Sequence, residues 1–268
     1  MSGASAPAIL ALDFDGVLCE GTREYFEVSR RTYDIVWPEQ ARVPDDLFPS
    51  FRDLRPVIET GWEMPVLLRA LARGLDREAI SEAWPATRDA LLARDPRGAE
   101  GQIAPLRKAL DAERRKWIDH DLRDWLSRHA LYGEAGTIRR VVEAPERVAI
   151  VTTKEGEFVR YLLDHWRIAV ADVQGKETGS HKCDNLRRLR AAYTRETGKT
   201  ALLWFVEDRL ETLECVRTHR DLDDVRLFLA AWGYNTPRTR ARARTSSGID
   251  LLSLVEFSGD FSRWGTGG

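Results

Sequence analysis

Asp13 and Asp15 stand on either side of Phe14, where the apolar run that begins at Pro7 ends and just before Gly16. On a strand, alternate residues point the same way, so the two carboxylates share a direction. Such neighbours repel unless a cation or a shared proton lies between them. A hard cation such as Mg²⁺, which takes one or two carboxylates plus the phosphate of a substrate, answers that need. On this feature alone a second reading stands beside it: a turn whose acids cap the next element. Farther along, Thr152 closes VAIVTTK, Lys182 lies in SHKCDNLRRL, and Glu207 and Asp208 close the apolar part of LLWFVEDRLETL. Taken singly, each has an ordinary explanation, as a satisfied hydroxyl, a solvated lysine or a surface acid.

The elements that must position these residues are legible in the hydrophobic patterning. Pro7 to Asp15, Arg147 to Thr152, Thr200 to Val206 and Val225 to Trp232 are apolar runs that stop at polar residues or glycine, the pattern of strands in a covered sheet. Helical spacing occupies Thr137 to Glu143, Glu155 to His165, Cys183 to Glu196 and Leu210 to Thr218. Strands alternating with helices imply parallel crossovers in a doubly wound sheet. Arg167 to Val173 predicts one more short strand, and Ile249 to Phe257, after Ser247-Gly248, a closing helix. Every candidate residue then falls at or just past the C-terminal end of a strand, where open parallel sheets bind ligands.

Residues 20–130 break the alternation. Pro38, Pro44, Pro49, Pro56 and Pro65 interrupt the first half, while Leu67 to Ala72, Glu78 to Leu92 and Ile103 to Leu126 carry helical periodicity. The expected architecture is α/β: a Rossmann-like core of about five parallel strands over 1–19 and 131–268, with a mainly α-helical insertion over 20–130.

With these motifs in view, ILALDFDGVL resembles the first signature of the haloacid dehalogenase superfamily, an apolar strand followed by Asp-x-Asp-Gly. VAIVTTK, SHKCDNLRRL and LLWFVEDRLETL are similar to the second, third and fourth signatures, in the correct order. LAAWGYN resembles the Trp-Gly-Tyr turn of phosphoglycolate-phosphatase-like members, and the likeness covers 7–18 and about 130–257. The resemblance implies that Asp13 is a nucleophile on phosphorus and a metal ligand. Asp15 would protonate the leaving oxygen, then activate water, while its carbonyl binds metal. Thr152 would hold a phosphoryl oxygen, with Thr153 beside it in the substrate site, and Lys182 would neutralise charge on Asp13 and the phosphoryl group. Asp208 would anchor Mg²⁺.

The fourth signature departs from the family, which often has Gly-Asp and a later Asp; here Glu207 precedes Asp208, and Thr212 occupies the later position. Glu207 could ligate metal directly, reach it through water, or pair with Arg209. Lys176 rivals Lys182 for the third signature. Dehalogenating members lack an acid at the position of Asp15, so its presence favours phosphoryl transfer.

The implied activity is Mg²⁺-dependent phosphomonoester hydrolysis through an aspartyl phosphate, on a small phosphorylated metabolite admitted by the cap. A sugar phosphomutase and a non-catalytic ligand-binding protein are the alternatives. Arg55, Glu59 and Trp62 are the specificity candidates in the cap, with Arg23 and Tyr25 behind them; against them, Trp62 could simply pack the cap core while Arg55 pairs with Glu59.

Composition sets the outer bounds. The 268 residues, 43% hydrophobic and 31% charged, suffice for a sizeable core. Lys+Arg 41 against Asp+Glu 43 gives −2, which advertises neither nucleic acid nor an anionic membrane as partner. No apolar run approaches the roughly 20 residues that span a bilayer, and the N-terminus lacks a basic leader, so a cytoplasmic location is expected. Cys19, Cys183 and Cys215 lack the paired spacing of a zinc knuckle and read as reduced thiols. His181 reads as solvated and the basic stretch Arg238 to Arg244 as an exposed connector. Lysine is confined to Lys108, Lys116, Lys154, Lys176, Lys182 and Lys199, so each is more informative in an arginine-rich chain.

Overall fold

The computed structural model describes residues 6–93, 98–179 and 181–265. The first five residues, part of the stretch read as having no leader, fall outside that range. In chain order the elements are β1 (Ile9–Leu12), β2 (Cys19–Glu20), α1 (Thr22–Val36), α2 (Phe48–Leu54), α3 (Glu63–Ala72), α4 (Arg77–Ala93) and α5 (Gly98–Ser127). Next come β3 (Ala130–Leu131), α6 (Ala135–Glu143), β4 (Arg147–Val151), α7 (Gly156–Trp166), β5 (Asp172–Gln174), α8 (Lys182–Thr197) and β6 (Leu203–Glu207). The chain closes with α9 (Leu210–Arg217), β7 (Arg226–Ala230), α10 (Pro237–Thr245), β8 (Ile249–Leu252) and α11 (Leu254–Phe257). Two compact units result: Met1–Glu20 with Ala130–Gly268, and Gly21–His129.

The first unit is built on a six-stranded, all-parallel sheet in the order β5-β4-β1-β6-β7-β8. Because β1 is central, both of its faces are covered, and Ile9, Leu10, Ala11 and Leu12 are all fully buried. Strand alternation sends Ile9, Ala11, Leu203, Phe205, Leu227 and Leu229 into one core with α8 and α9. The opposite face carries Trp204 and Phe228, against which Phe261 and Trp264 pack in tilted and edge-to-face contacts at ring separations of 5.4–5.7 Å. Buried aromatics of this size contribute strongly through area and ring geometry.

Two expectations are corrected here. The stretch read as a closing helix splits: Ile249–Leu252 pairs in parallel with β7 as a sixth strand, and only Leu254–Phe257 is helical. The cause is local, since Ser253 and Glu256 form a capping box that starts a helix only after the strand has ended. Likewise the basic connector is the helix α10, launched by Thr236, whose hydroxyl accepts from the Thr239 N–H at 3.1 Å, and by Pro237 in its first turn.

The second unit is helical. In α1, Tyr25, Phe26, Val28, Ser29, Thr32 and Tyr33 recur at helical spacing and are buried. Glu24 on the same helix is fully buried and accepts from Arg114 Nε at 2.7 Å and Trp125 Nε1 at 3.1 Å, which ties α1 to α5. Backbone breaks at Ala83 and Asp121 divide α4 and α5. Among the described residues, no helix is long and apolar enough to cross a membrane.

Candidate active site

The turn after β1 presents the first two acids. Asp13 donates its N–H to the Val206 carbonyl at 2.9 Å, a last rung of the pairing between β1 and β6. The Phe14 carbonyl then gathers the N–H groups of Leu18 and Cys19 at 2.9 and 2.8 Å. Trp232 Nε1 donates to the Val17 carbonyl at 3.0 Å and fixes this turn from the end of β7.

Asp13 lies in a buried charge cluster. The Lys182 ammonium, on the first residue of α8, is 3.0 Å from Asp13 Oδ2 and 2.6 Å from Glu207 Oε2. Burial, reinforced by the Glu207 charge, pushes the Asp13 carboxyl up to about 7 even though Lys182 pulls the other way. Burial also raises Glu207, with Asp208 adding to it and Lys182 opposing. For Lys182, burial works against the ammonium, but Asp13 and Glu207 outweigh it and hold the amine well above its ordinary value. Lys176, the rival, is 3.9 Å from Glu155 and its side chain is 45% exposed, whereas that of Lys182 is 10% exposed.

Glu207 uses both oxygens within the protein, Oε2 on Lys182 and Oε1 on the Arg209 N–H at 3.1 Å. The ion pair it makes is with Lys182, a partner the sequence reading did not name; Arg209 gives it a backbone N–H.

Asp208 is held by the turn that succeeds β7. Its Oδ2 accepts from the Tyr234 N–H at 2.7 Å, and Asn235 Nδ2 donates to its backbone carbonyl at 3.0 Å. Two glycines make room for it. A Cβ on Gly16, whose φ is +86°, would lie 2.0 Å from Asp208 Oδ2, and one on Gly233 would lie 2.3 Å from Asp208 Cβ. Neither position tolerates a side chain without moving the acid.

Asp15 is partnered by a residue that the sequence patterns did not single out. Lys154 Nζ sits 3.3 and 3.4 Å from the two Asp15 oxygens, and the Lys154 side chain is almost wholly buried. Its backbone N–H donates to Thr152 Oγ1 at 3.2 Å, so one short loop orients both Thr152 and the cation facing Asp15. Thr152 is buried and Thr153 exposed. The scarcity of lysine in the chain was the available signal for Lys154.

The specificity candidates belong to the helical unit. Trp62 is buried there, with the Arg88 guanidinium 5.6 Å from its ring centroid, so its ring is part of that unit's packing. Arg55 donates to the Ile58 carbonyl at 3.3 Å and lies 5.2 Å from the Tyr25 ring; Glu59 is exposed. The buried Glu63 fixes the loop that carries them, accepting from the Glu59 N–H at 3.1 Å, Trp84 Nε1 at 2.9 Å and Arg88 at 3.1 Å.

The donor set suits a hard divalent cation. Asp13, Glu207 and Asp208 each bring a carboxylate oxygen within 4.8 Å of the other two. Asp13 Oδ1 is buried and accepts no hydrogen bond. Burial and mutual repulsion raise Asp13 and Glu207 toward their neutral forms, and an oxygen-liganded dication among the three carboxylates would offset that and favour the ionised state.

No protein-family model matches the sequence, and no curated protein matches it. Solved structures share its fold. A predicted phosphoglycolate phosphatase from Haemophilus somnus is 12% identical, with 95% of this chain and 97% of that one covered at a TM-score of 0.57. A predicted phosphatase from Clostridium acetobutylicum is 14% identical, covering 95% and 97% at 0.54. A haloacid dehalogenase-like family hydrolase from Streptococcus pneumoniae is 14% identical, covering 92% and 94% at 0.51. At such identities the likeness establishes the fold.

Proposed function

We propose that this chain, which has the haloacid dehalogenase-like fold, is a Mg²⁺-dependent phosphomonoester hydrolase that works through an aspartyl phosphate on Asp13. The observation that carries this reading is the buried cluster of Asp13, Glu207 and Asp208 carboxylates beside Lys182, with an unbonded Asp13 oxygen inside it. Asp13 and Asp208, with the Asp15 carbonyl, would hold Mg²⁺, which supplies charge neutralisation on the phosphoryl oxygens. Glu207 acts here as the counter-ion that positions Lys182.

The chain's residues then divide the chemistry. Asp13 attacks phosphorus as the bond to the leaving oxygen breaks, and Asp15 gives that oxygen its proton, releasing an alcohol. Water next attacks the acyl phosphate. Asp15 takes the proton from it, Asp13 departs as a carboxylate, and inorganic phosphate leaves. Thr152 and the backbone beside it, with Thr153, hold phosphoryl oxygens, and Lys182 offsets the charge built up as an anion meets a carboxylate. Lys154, in contact with both Asp15 oxygens, orients the acid for its two proton transfers.

The substrate class is a small phosphorylated metabolite, and the helical unit reads its leaving group through Arg55 and Glu59 on the loop that Glu63 pins. Phosphate release from a panel of small phosphomonoesters, with and without Mg²⁺, tests the reading against Asp13→Asn. Metal-dependent release that disappears in the variant is expected. No release by a protein that still binds Mg²⁺ would transfer the reading to a phosphomutase or a non-catalytic binding protein.

A further inference from the structure

The thiols and the imidazole that the phosphoryl chemistry leaves unused gather in one place. Cys183 is the second residue of α8 and is 1% exposed; Cys215, on α9, is half-buried; His181 caps α8 and is exposed. One ligand atom from each of the three residues lies within 4.8 Å of the other two. Tetrahedral zinc, with Zn–S about 2.3 Å and Zn–N about 2.0–2.1 Å, spaces its donors roughly 3.5–3.8 Å apart. Contraction by about 1 Å therefore closes the set, within reach of side-chain adjustment.

The donors differ in kind from those around Asp13. Two sulfurs and a nitrogen are soft to borderline and select filled-shell thiophilic cations, whereas the carboxylate cluster selects hard ones. Charge favours occupancy as well: two thiolates with a dication are neutral, so the buried Cys183 sulfur ionises without leaving a net charge in the core. On the opposite side, exposed His181 gives a route in and leaves room for a water as fourth ligand. The sequence could not announce the cluster by spacing, because its two cysteines come from different helices.

We propose that His181, Cys183 and Cys215 form a site for one zinc-class divalent cation, separate from the oxygen site at Asp13. Binding breaks two S–H bonds, forms two metal–sulfur bonds and one metal–nitrogen bond, and sends two protons to solvent without redox change. His181 and Cys183 flank Lys182, so occupancy clamps the backbone on both sides of the ammonium that faces Asp13.

The test needs no turnover and is independent of the phosphatase reading. The full chain, saturated with Mg²⁺ and kept reduced with a phosphine, is titrated with Cd²⁺ while near-ultraviolet thiolate-to-metal charge transfer is recorded. A band that saturates at one equivalent, accompanies release of two protons and is abolished by competing Zn²⁺ is expected. Cys215→Ser should weaken cadmium binding and diminish the band. His181→Asn, which keeps an N-cap acceptor on α8 but removes the imidazole, should weaken binding by about tenfold or more while retaining the band. Absence of the band at one equivalent, or equal binding after either substitution in protein of unchanged circular dichroism, would overturn the proposal.

Discussion

Asp13 is held in a state that opposes folding whenever it is ionised and no cation is bound. Its folded carboxyl sits at about 7 against 3.8 in the absence of burial. Between those values the native state keeps a proton that the unfolded chain has lost, so this group removes stability progressively as pH rises from about 4 to about 7. Asn carries neither charge nor proton. In EDTA, Asp13→Asn should therefore match the wild type in Tm near pH 4 and exceed it above pH 7, by an amount worth a few kcal/mol at most. Saturating Mg²⁺ should shrink the gain by stabilising the wild type, and thermal melts across this range with and without metal check both statements. Lys154 makes the companion case. Losing its contact with Asp15 should lower kcat by about tenfold or more with little change in KM, and Lys154→Arg should recover part of the loss that Lys154→Met shows.

At the scale of elements, the site depends on how closely two turns approach each other. Gly16 and Gly233 leave no space for a methyl group beside Asp208. Gly233→Ala should cost about 2 kcal/mol or more of stability by overpacking and weaken Mg²⁺ binding, read by denaturant titration and calorimetry. Ser253→Ala removes only a capping box from α11 and should cost about 1 kcal/mol, with metal binding unchanged. These turns also mark where the sequence stopped being legible. Strands β1, β4, β6 and β7 were evident because burial on both faces forces unbroken apolar runs, and the helices between them because an amphipathic stripe must face the sheet. The closing strand was misread because IDLL is too short to separate helix from strand by period. Helix α10 was misread because alternating Arg with Ala and Thr leaves it no apolar stripe, although Thr236-Pro237 signalled its start. In the site, the four acids and Thr152 were visible as polar residues ending apolar runs, and Lys182 as a lysine at the start of an amphipathic helix. The Glu207–Lys182 pair and Lys154 were not, since which charge faces which is decided by tertiary packing.

For the whole molecule, the decisive feature is that the helical unit enters and leaves through one ladder. β2 and β3 pair antiparallel, Cys19 with Leu131 and Glu20 with Ala130, so the two ends of the insertion are hydrogen-bonded neighbours. The sheet unit closes its core with residues of its own, among them Ile9, Phe205, Leu213 and Leu229, and the helical unit contains its own buried set around Phe26, Phe51, Leu67 and Trp84. Antiparallel neighbours in that register can be joined by a two-residue hairpin loop. Replacing Gly21–His129 by Asn-Gly should therefore yield a chain that unfolds cooperatively and still binds Mg²⁺. If the helical unit reads the leaving group, this shortened chain should hydrolyse an activated ester such as p-nitrophenyl phosphate while the spread of kcat/KM across natural phosphomonoesters collapses. A folded shortened chain that kept the full spread would place specificity in the sheet unit, and with it the roles given to Arg55 and Glu59.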